Sequence, residues 1–395
     1  MIGDDETGRI NLRTKVLWIV ASFPENPESA RDLYLWHSIE ALSALNVDVY
    51  VLLTTAWRPW TKSFVNVHFP VSIKNCRYFS LPRHYGRYFS NLNYTMRVSL
   101  AIRQLVKKYQ INIIHAHGEI CGLAAVAFAK KWPTPVVLTL HGIDTCKRLQ
   151  KKSIKKQFSV MLNQVNKIIF VGESLQKYFQ SLLNHNDHCC VVYNGVQFPV
   201  IPTNAFASHD INIVRLISVS NLHEGKGIDF TLQALAALHA RGVKNWMYTI
   251  VGSGDQRKYL EKIAEKFNIQ DKVHFTGICS HAEVYAHLRQ SHVFCLPSYR
   301  EAFGIAYLEA MAHGLLTIAV RDQGPQAFIT HKKTGLLVNP RDTKTLIDAL
   351  DQAIRQYDMM RDIADQGKEY VLSNFSWEKH AERLKKVYAE TIAEN

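Results

Sequence analysis

The sequence predicts two doubly wound α/β domains in tandem. Three observations carry this. Two series of short β-branched runs alternate with helix-like stretches, an aperiodic Pro- and Asn-bearing segment separates the series, and 395 residues with 47% hydrophobic content exceed what one ordinary core uses.

The first series opens with KVLWIVAS at Lys15, followed by the amphipathic RDLYLWHSIEALSALN and then VDVYVLLTT. INIIHAHG, PVVLTLHG, NKIIFVG and CCVVYNG follow, each a β-branched run ending in polar or Gly residues, with helix-like sequence between them. Continuous apolar strands in this rhythm signal a parallel sheet covered on both faces. QFPVIPTNAFASHD, residues 197–210, has two prolines and no period, which is how a linker reads. The second series is IVRLISVSN, WMYTIVGSG, KVHFTG, HVFCLPS, LLTIAV and TGLLVNP, separated by patterns such as DFTLQALAALHARG and QRKYLEKIAEKFN. SWEKHAERLKKVYAETIAEN closes the chain as a charged amphipathic helix with Ser376 as its N-cap. The expected domains are 1–200 and 201–375, with a helix over 376–395 packing back towards the first. Tandem sheets of this kind turn their strand carboxyl ends, and so their ligand sites, to a shared cleft.

The net charge of +13 and pI near 9.3 predict attraction to polyanions, whether nucleic acid, anionic lipid or phosphorylated substrate. The longest apolar runs, such as VLWIVA and GLAAVAFA, fall short of the roughly 20 residues that span a bilayer. MIGDDETGRINLRTK lacks the build of a secretory signal, and seven scattered cysteines, two of them adjacent at 189 and 190, suit neither a disulfide framework nor a zinc spacing. A reducing cytoplasm is the expected compartment.

SYREAFGIAYLEAMAHG, residues 298–314, holds the chemistry. Glu301 falls on the loop after a strand, Gly304 to Ala306 start a helix whose free amides suit phosphate, and Gly314 closes that helix. Glu309, a little over one turn inside, suits a polar ligand such as a ribose diol. The plainer reading is a capping acid and a surface Glu. In the first series, His115 and His117 point to one side of a strand, but no third residue is spaced to complete a metal site. Asn194 and Gly195 read as a turn, and Glu173 with Ser174 as a helix start.

Together these stretches resemble the retaining GT-B glycosyltransferases of glycosyltransferase family 4. Glu301, seven intervening residues and Glu309 resemble the family signature. ISVSNLHEGKGID resembles its phosphate-lysine loop, IVGSGDQRKYL its next strand and turn, and TGLLVNPRD its closing segment. IIHAHG, VVLTLHGID, IIFVGESL and VVYNGVQ resemble landmarks of the first half, in family order, from about Lys15 to the end. The resemblance implies a nucleotide-sugar donor, with a UDP or GDP base, held mainly by the second domain. Lys226 would neutralise the diphosphate without a carboxylate partner, Glu301 would sit near the donor sugar and its phosphates, and Glu309 would bind the ribose. Asn221, Phe303, Gly304, Ile305 and Ala306 would belong to the donor site, the amides around Gly304 to Ala306 binding phosphate oxygens. His141 would face the transferred sugar from the first domain, with His117 on the acceptor side.

Retention of configuration is implied by the resemblance alone, either through a covalent adduct on Glu301 or by attack on the face the leaving group vacates. No two aspartates stand two apart, as an Asp-x-Asp metal motif requires, so Lys226 and the helix dipole are the expected substitutes and no metal or cofactor is expected. Three departures from the family pattern stand out. Asn221 replaces an arginine ahead of the phosphate lysine. SFPENPESARD replaces a glycine-rich loop, leaving only Ser29 and Ala30 as stand-ins. Gln326 and Ala327 stand where a Gly-rich turn with a glutamate is common.

TCKRLQKKSIKKQF, residues 145–158, holds Lys147, Arg148, Lys151, Lys152, Lys155 and Lys156 with no acid. It reads either as a solvated helix face or as an attachment to anionic lipid on the inner face of the plasma membrane, and RHYGRYFSNLNYTMR either extends that patch or receives the acceptor. No nucleic-acid module accompanies the charge. The expected function is therefore transfer of a sugar to a glycan or lipid-linked acceptor in cell-surface polysaccharide synthesis. The rivals are a sugar or glucan synthase with a soluble acceptor and a binding protein with an inert cleft. A nicotinamide dehydrogenase is disfavoured because GSGDQR lacks the third glycine of the dinucleotide fingerprint.

Overall fold

The computed structural model describes residues 13–27, 29, 32–57, 68–79, 87–142, 152–197 and 212–395. The linker expected near 197–210 falls almost wholly outside the described residues, as do Ala30, Lys147, Arg148 and Lys151.

Seven strands form the first sheet: β1 (Lys15–Val20), β2 (Asp48–Trp57), β3 (Ser72–Phe79), β4 (Ile113–His117), β5 (Val136–Leu140), β6 (Lys167–Phe170) and β7 (Cys189–Val191). Their order is β3-β2-β1-β4-β5-β6-β7, and every pairing is parallel. The last five residues of β1 are almost wholly buried, as a central strand covered on both faces must be. β3 differs: SIKNCRYF buries only Cys76 and pairs with β2 alone, so it lacks the apolar run by which the other strands are read.

Helices α1 (Leu33–Ala44), α2 (Arg87–Tyr109), α3 (Glu119–Ala129), α4 (Lys152–Leu162) and α5 (Glu173–Phe179) connect these strands. α2, α3 and α4 pack in sequence over one face, on a core that includes Val98, Ile102, Phe128 and Phe158.

The second sheet comprises β8 (Val214–Val219), β9 (Trp246–Val251), β10 (Val273–Gly277), β11 (Val293–Cys295), β12 (Leu316–Val320) and β13 (Leu336–Val338), in the order β10-β9-β8-β11-β12-β13 and again all parallel. Its helices are α6 (Ile228–Ala240), α7 (Arg257–Lys266), α8 (His281–Arg289), α9 (Ile305–Ala312), α10 (Thr343–Arg355) and α11 (Tyr357–Asn374).

The final helix, α12 (Trp377–Ala393), returns to the first sheet. Ser376 caps it, its Oγ accepting from the Lys379 amide at 3.2 Å. Ala381, Leu384, Val387 and Tyr388 share a core with α1 and the back face of β1 and β2. Burial of side chains of this size contributes about 1.5–3 kcal/mol each, which holds the chain end to its beginning. The Trp18 indole N–H donates to Tyr388 Oη at 3.0 Å across this seam.

Asn194 and Gly195 do not form the expected turn. They lie in irregular backbone beside the start of α12, where Val196 bridges Ser376, and a Cβ on Gly195 would lie 2.6 Å from the Trp377 backbone nitrogen. The glycine is required there by close approach.

In each sheet the strand order reverses once, between β1 and β4 and between β8 and β11. Open parallel sheets bind ligands outside the strand carboxyl ends at such a reversal.

Candidate functional site

The loop after β11 and the loop after β8 meet at the second reversal. Lys226 ends a short 3-10 turn, and the Gly225 carbonyl beside it accepts from the Tyr299 amide and the Ser298 hydroxyl, both at 3.1 Å. These bonds tie the Lys226 loop to the one carrying Glu301. Glu301 is held from its other side as well: its amide donates to Gln323 Oε1 at 3.1 Å, and its carbonyl accepts from the Gly324 amide at 2.9 Å.

Lys226 Nζ then donates to Glu301 Oε2 at 2.8 Å. The expectation of a lysine without a carboxylate partner is corrected here. Both side chains are largely withdrawn from water, and each neutralises the other's desolvated charge.

Gly304 precedes α9 with φ of 93°, where a Cβ would lie 2.6 Å from the Tyr307 ring. It turns the chain so that the first amides of α9, at Ile305 and Ala306, open onto a cavity. Phe303 does not share that position. Its side chain is buried against Tyr193, Phe328 and Phe375, so its expected part in donor binding is corrected to core packing.

That cavity, about 300 Å³, lies between the domains. Ser220, Asn221, Gly252, Ile305, Ala306 and Glu309 line it from the second domain, and Ser29, Tyr34 and His37 from the first. Asn221 is exposed on its wall. Glu309 Oε1 lies 2.8 Å from His281 Nε2 at the start of α8. A carboxylate only accepts, so the proton sits on His281 Nε2 and the other carboxylate oxygen is left for a ligand. Burial holds the His37 imidazole below its ordinary pKa and raises the Tyr285 phenol well above its own. His37 Nε2 and Tyr285 Oη are both buried beside this cavity, without a hydrogen-bond partner among the described residues.

His141 follows β5, and Tyr34 links it to the main cavity, its ring 5.0 Å from the histidine ring. His141 Nε2 meets His117 Nδ1 at 2.9 Å, with the rings stacked 5.1 Å apart. Burial above all, with His380 adding to it, depresses His141 to about 3, so it is neutral at physiological pH. His117, expected on the acceptor side, is thus His141's hydrogen-bond partner and lines the same small cavity. His115 is fixed in turn, with Tyr388 Oη at 2.6 Å from Nδ1 and Thr139 Oγ1 at 2.6 Å from Nε2. Tyr388 accepts from Trp18, so its own proton goes to His115 Nδ1, and His115 donates from Nε2 to Thr139.

Lys152, Lys155 and Lys156 are exposed on α4, away from this cleft, while Ile154 and Phe158 of the same helix face the core. Sequence reasoning missed Tyr34, His37, Gln323 and His281. Each reaches the site through the tertiary fold, with no local motif to mark it.

The family model described as Glycosyl transferases group 1 matches residues 203–370, and that described as Glycosyltransferase Family 4 matches residues 33–198. Over 311 residues the chain is 24% identical to the N-acetyl-alpha-D-glucosaminyl L-malate synthase of Bacillus anthracis, covering 76% of this chain and 81% of that one. It is 26% identical over 298 residues to the gpi3 subunit of the phosphatidylinositol N-acetylglucosaminyltransferase of Schizosaccharomyces pombe, covering 74% and 64% of the two chains. Among solved structures, the sucrose-phosphate synthase of Thermosynechococcus elongatus superposes with a TM-score of 0.79 at 21% identity, covering 97% of this chain and 100% of the other. HepE of Anabaena, in complex with UDP and glucose, superposes with a TM-score of 0.76 at 16% identity, covering 95% and 99%.

Proposed function

Because this chain belongs to the group 1 glycosyltransferases of glycosyltransferase family 4, we propose that it moves a sugar from a nucleotide-diphosphate donor to a glycan or lipid-linked acceptor, with retention and without a metal. One observation carries the reading. An ammonium, a carboxylate and the open amides of a helix start converge at the second sheet's reversal, beside a cavity large enough for a nucleotide.

In this reading the donor diphosphate lies on the first amides of α9 and draws Lys226 from Glu301 to itself. The glycosidic carbon–oxygen bond breaks as the nucleoside diphosphate leaves, and Lys226 and the helix start stabilise the charge it takes away. The anomeric carbon bonds to the acceptor oxygen, whose proton passes to the departing phosphate. Glu301, freed from Lys226, faces the positive charge that develops on the sugar. Glu309, steadied by His281, takes the ribose hydroxyls. Neutral His141 offers a hydrogen bond to the transferred sugar.

A UDP donor is supported by HepE, whose structure was solved with UDP-glucose. A lipid-linked acceptor is supported by the phosphatidylinositol N-acetylglucosaminyltransferase among the relatives. We place the protein at the cytoplasmic membrane surface, in assembly of a cell-surface polysaccharide.

A panel of UDP- and GDP-sugars with a hydrolysis readout tests the reading. One donor should be hydrolysed, and Glu301→Ala should abolish that hydrolysis. Binding of UDP or GDP with no donor hydrolysed, and no change on Glu301→Ala, would instead mark a cleft that binds without catalysing.

A further inference from the structure

We propose that the layer of α2, α3 and α4 is a docking face for an anionic lipid bilayer, and that an apolar stripe on α2 enters the lipid interface at the end nearest the cleft. The inference rests on the transfer reading only for its consequence, that the acceptor reaches the cleft from that surface.

The charge of this protein is not spread evenly. Residues 49–172 hold 19 Lys and Arg against two acids, Glu119 and Asp144, a net of +17 where the whole chain carries +13. The remainder is therefore slightly acidic, at −4.

The fold gathers much of this charge on one face. α2 and α4 contain no acid, and the one acid of α3, Glu119, is buried. Arg97, Arg103, Lys107 and Lys108 are exposed on α2, Lys130 and Lys131 just beyond α3, and Lys152, Lys155 and Lys156 on α4. Among the described residues none of these nine is paired with a carboxylate. An ordinary solvated surface mixes both signs, and nine cations over three adjacent helices are complementary to an extended anionic plane.

The apolar component is equally localised. Leu92, Met96 and Leu100 are 47%, 58% and 55% exposed. Spaced four apart, they form one outer stripe of α2, which Arg103 and Lys107 continue. Beside its upper end stand Trp57 and Phe79, the last residues of β2 and β3, 43% and 48% exposed with their rings 6.2 Å apart. The Phe79 amide donates to Asn93 Oδ1 at 2.9 Å, which fixes that aromatic pair next to Leu92. Because the sheet is parallel, Trp57 and Phe79 lie at the same edge as His117 and His141.

An anionic bilayer is the partner that supplies both features, a flat field of negative headgroups and an apolar layer a few ångströms beneath. Nucleic acid supplies only the first. The α2 stripe is aliphatic, and the aromatic rings beside it, Trp57 and Phe79, form one pair at its end, not the succession of platforms on which bases stack. α4 contributes mainly charge: Ile154, Phe158, Met161 and Leu162 are turned inward, and Val160 is its one exposed large apolar side chain. Among the described residues no helix is long and apolar enough to cross a membrane, so contact through this face would be peripheral.

Flotation of the full chain with vesicles tests this. The protein should float with phosphatidylcholine vesicles containing about 30% phosphatidylglycerol at low salt and remain behind with pure phosphatidylcholine. Changing Lys107, Lys108, Lys130 and Lys131 together to Gln should weaken partition on the order of 100-fold, at up to about fivefold per cation. A Leu92→Ser, Met96→Ser, Leu100→Ser variant should lose about tenfold, with donor hydrolysis and melting temperature unchanged. No flotation of the unaltered protein, an apolar variant that floats as well as the parent, or displacement from the vesicles by a single-stranded RNA at equal charge would each overturn the proposal. Flotation without donor hydrolysis would defeat the transfer reading and leave the docking face standing.

Discussion

Replacing Lys226 by Ala removes the ammonium that meets the Glu301 carboxylate. Its side chain is 24% exposed and that of Glu301 14%, so the pair sits in neither bulk water nor a dry interior. At an effective dielectric near 20, two unit charges about 4 Å apart interact by about 4 kcal/mol. Partial exposure screens that figure, and the part realised only as the leaving group gains charge is about 1.4–4 kcal/mol, which is ten- to a thousandfold in turnover. The assay is initial rate against donor concentration, with kcat and KM resolved, beside thermal melting. Melting is needed because Ala strands Glu301 as an unpaired, mostly buried carboxylate and lowers stability by a separate route. Lys226→Met with Glu301→Gln relieves the stranded charge, so it should recover melting temperature without recovering turnover. A kcat that stays at the parent value in both variants, even with a raised KM, would refute the leaving-group role, because the lost interaction would then be uniform binding.

Two further outcomes are expected. Chelation with EDTA should leave turnover intact if, as proposed, Lys226 and the α9 amides carry the stabilisation, and a complete loss restored by magnesium would reject this. Acid should weaken the fold: His141 is depressed to about 3 and His380 to about 4, both by burial first, so below the ordinary value near 6.5 the unfolded chain takes up protons that the folded chain refuses. Their stabilising neutrality is fully present above about pH 6.5 and is lost as pH falls towards 4, at about 2 kcal/mol per histidine by pH 5. Urea titrations at neutral pH and at about pH 5 measure this, and equal midpoints would count against it.

What the sequence disclosed depended on how local the physics was. β1, β5 and β12 are central strands, and their unbroken apolar runs are visible without any partner. β3, at an edge and half exposed, has no such run, and only its pairing with β2 makes it a strand. The positions of Glu301 and Glu309 follow from a strand, a loop and a helix start that the sequence shows, while Lys226 is singled out by its resemblance to the family's phosphate-lysine loop. Their partners are not legible. His281 stands 28 residues from Glu309 and Gln323 stands 22 from Glu301, and nothing between them encodes that meeting. The Lys226–Glu301 pair is hidden in the same way, since 75 residues separate its members and only the meeting of the two loops brings them together. Gly195 misleads because a glycine needed for close approach and one needed for a turn look alike in a sequence.

The two halves of the site are held by different parts of the molecule. Lys226 and Glu301 are tied to each other, and through Gly225, Ser298 and Gln323 to the second domain, so this pair is positioned within one domain. His141 is held through His117 in the first domain, while neighbouring His115 is held by Tyr388 of the returning helix. Two contacts near the site join these sides. The Ser174 hydroxyl donates to the Ala302 carbonyl at 3.2 Å, directly after Glu301, and Tyr193 stacks on Phe303. A shift of one domain against the other therefore changes the distance from His141 to the Glu301 loop while leaving the Lys226–Glu301 pair undisturbed. On the proposed reading the donor is held mainly by the second domain, with Ser29, Tyr34 and His37 of the first on the facing wall of the cavity. The placing of the transferred sugar against the acceptor depends on how the first domain and α12 sit on it, which explains why the chain commits its last helix to bracing the opposite sheet.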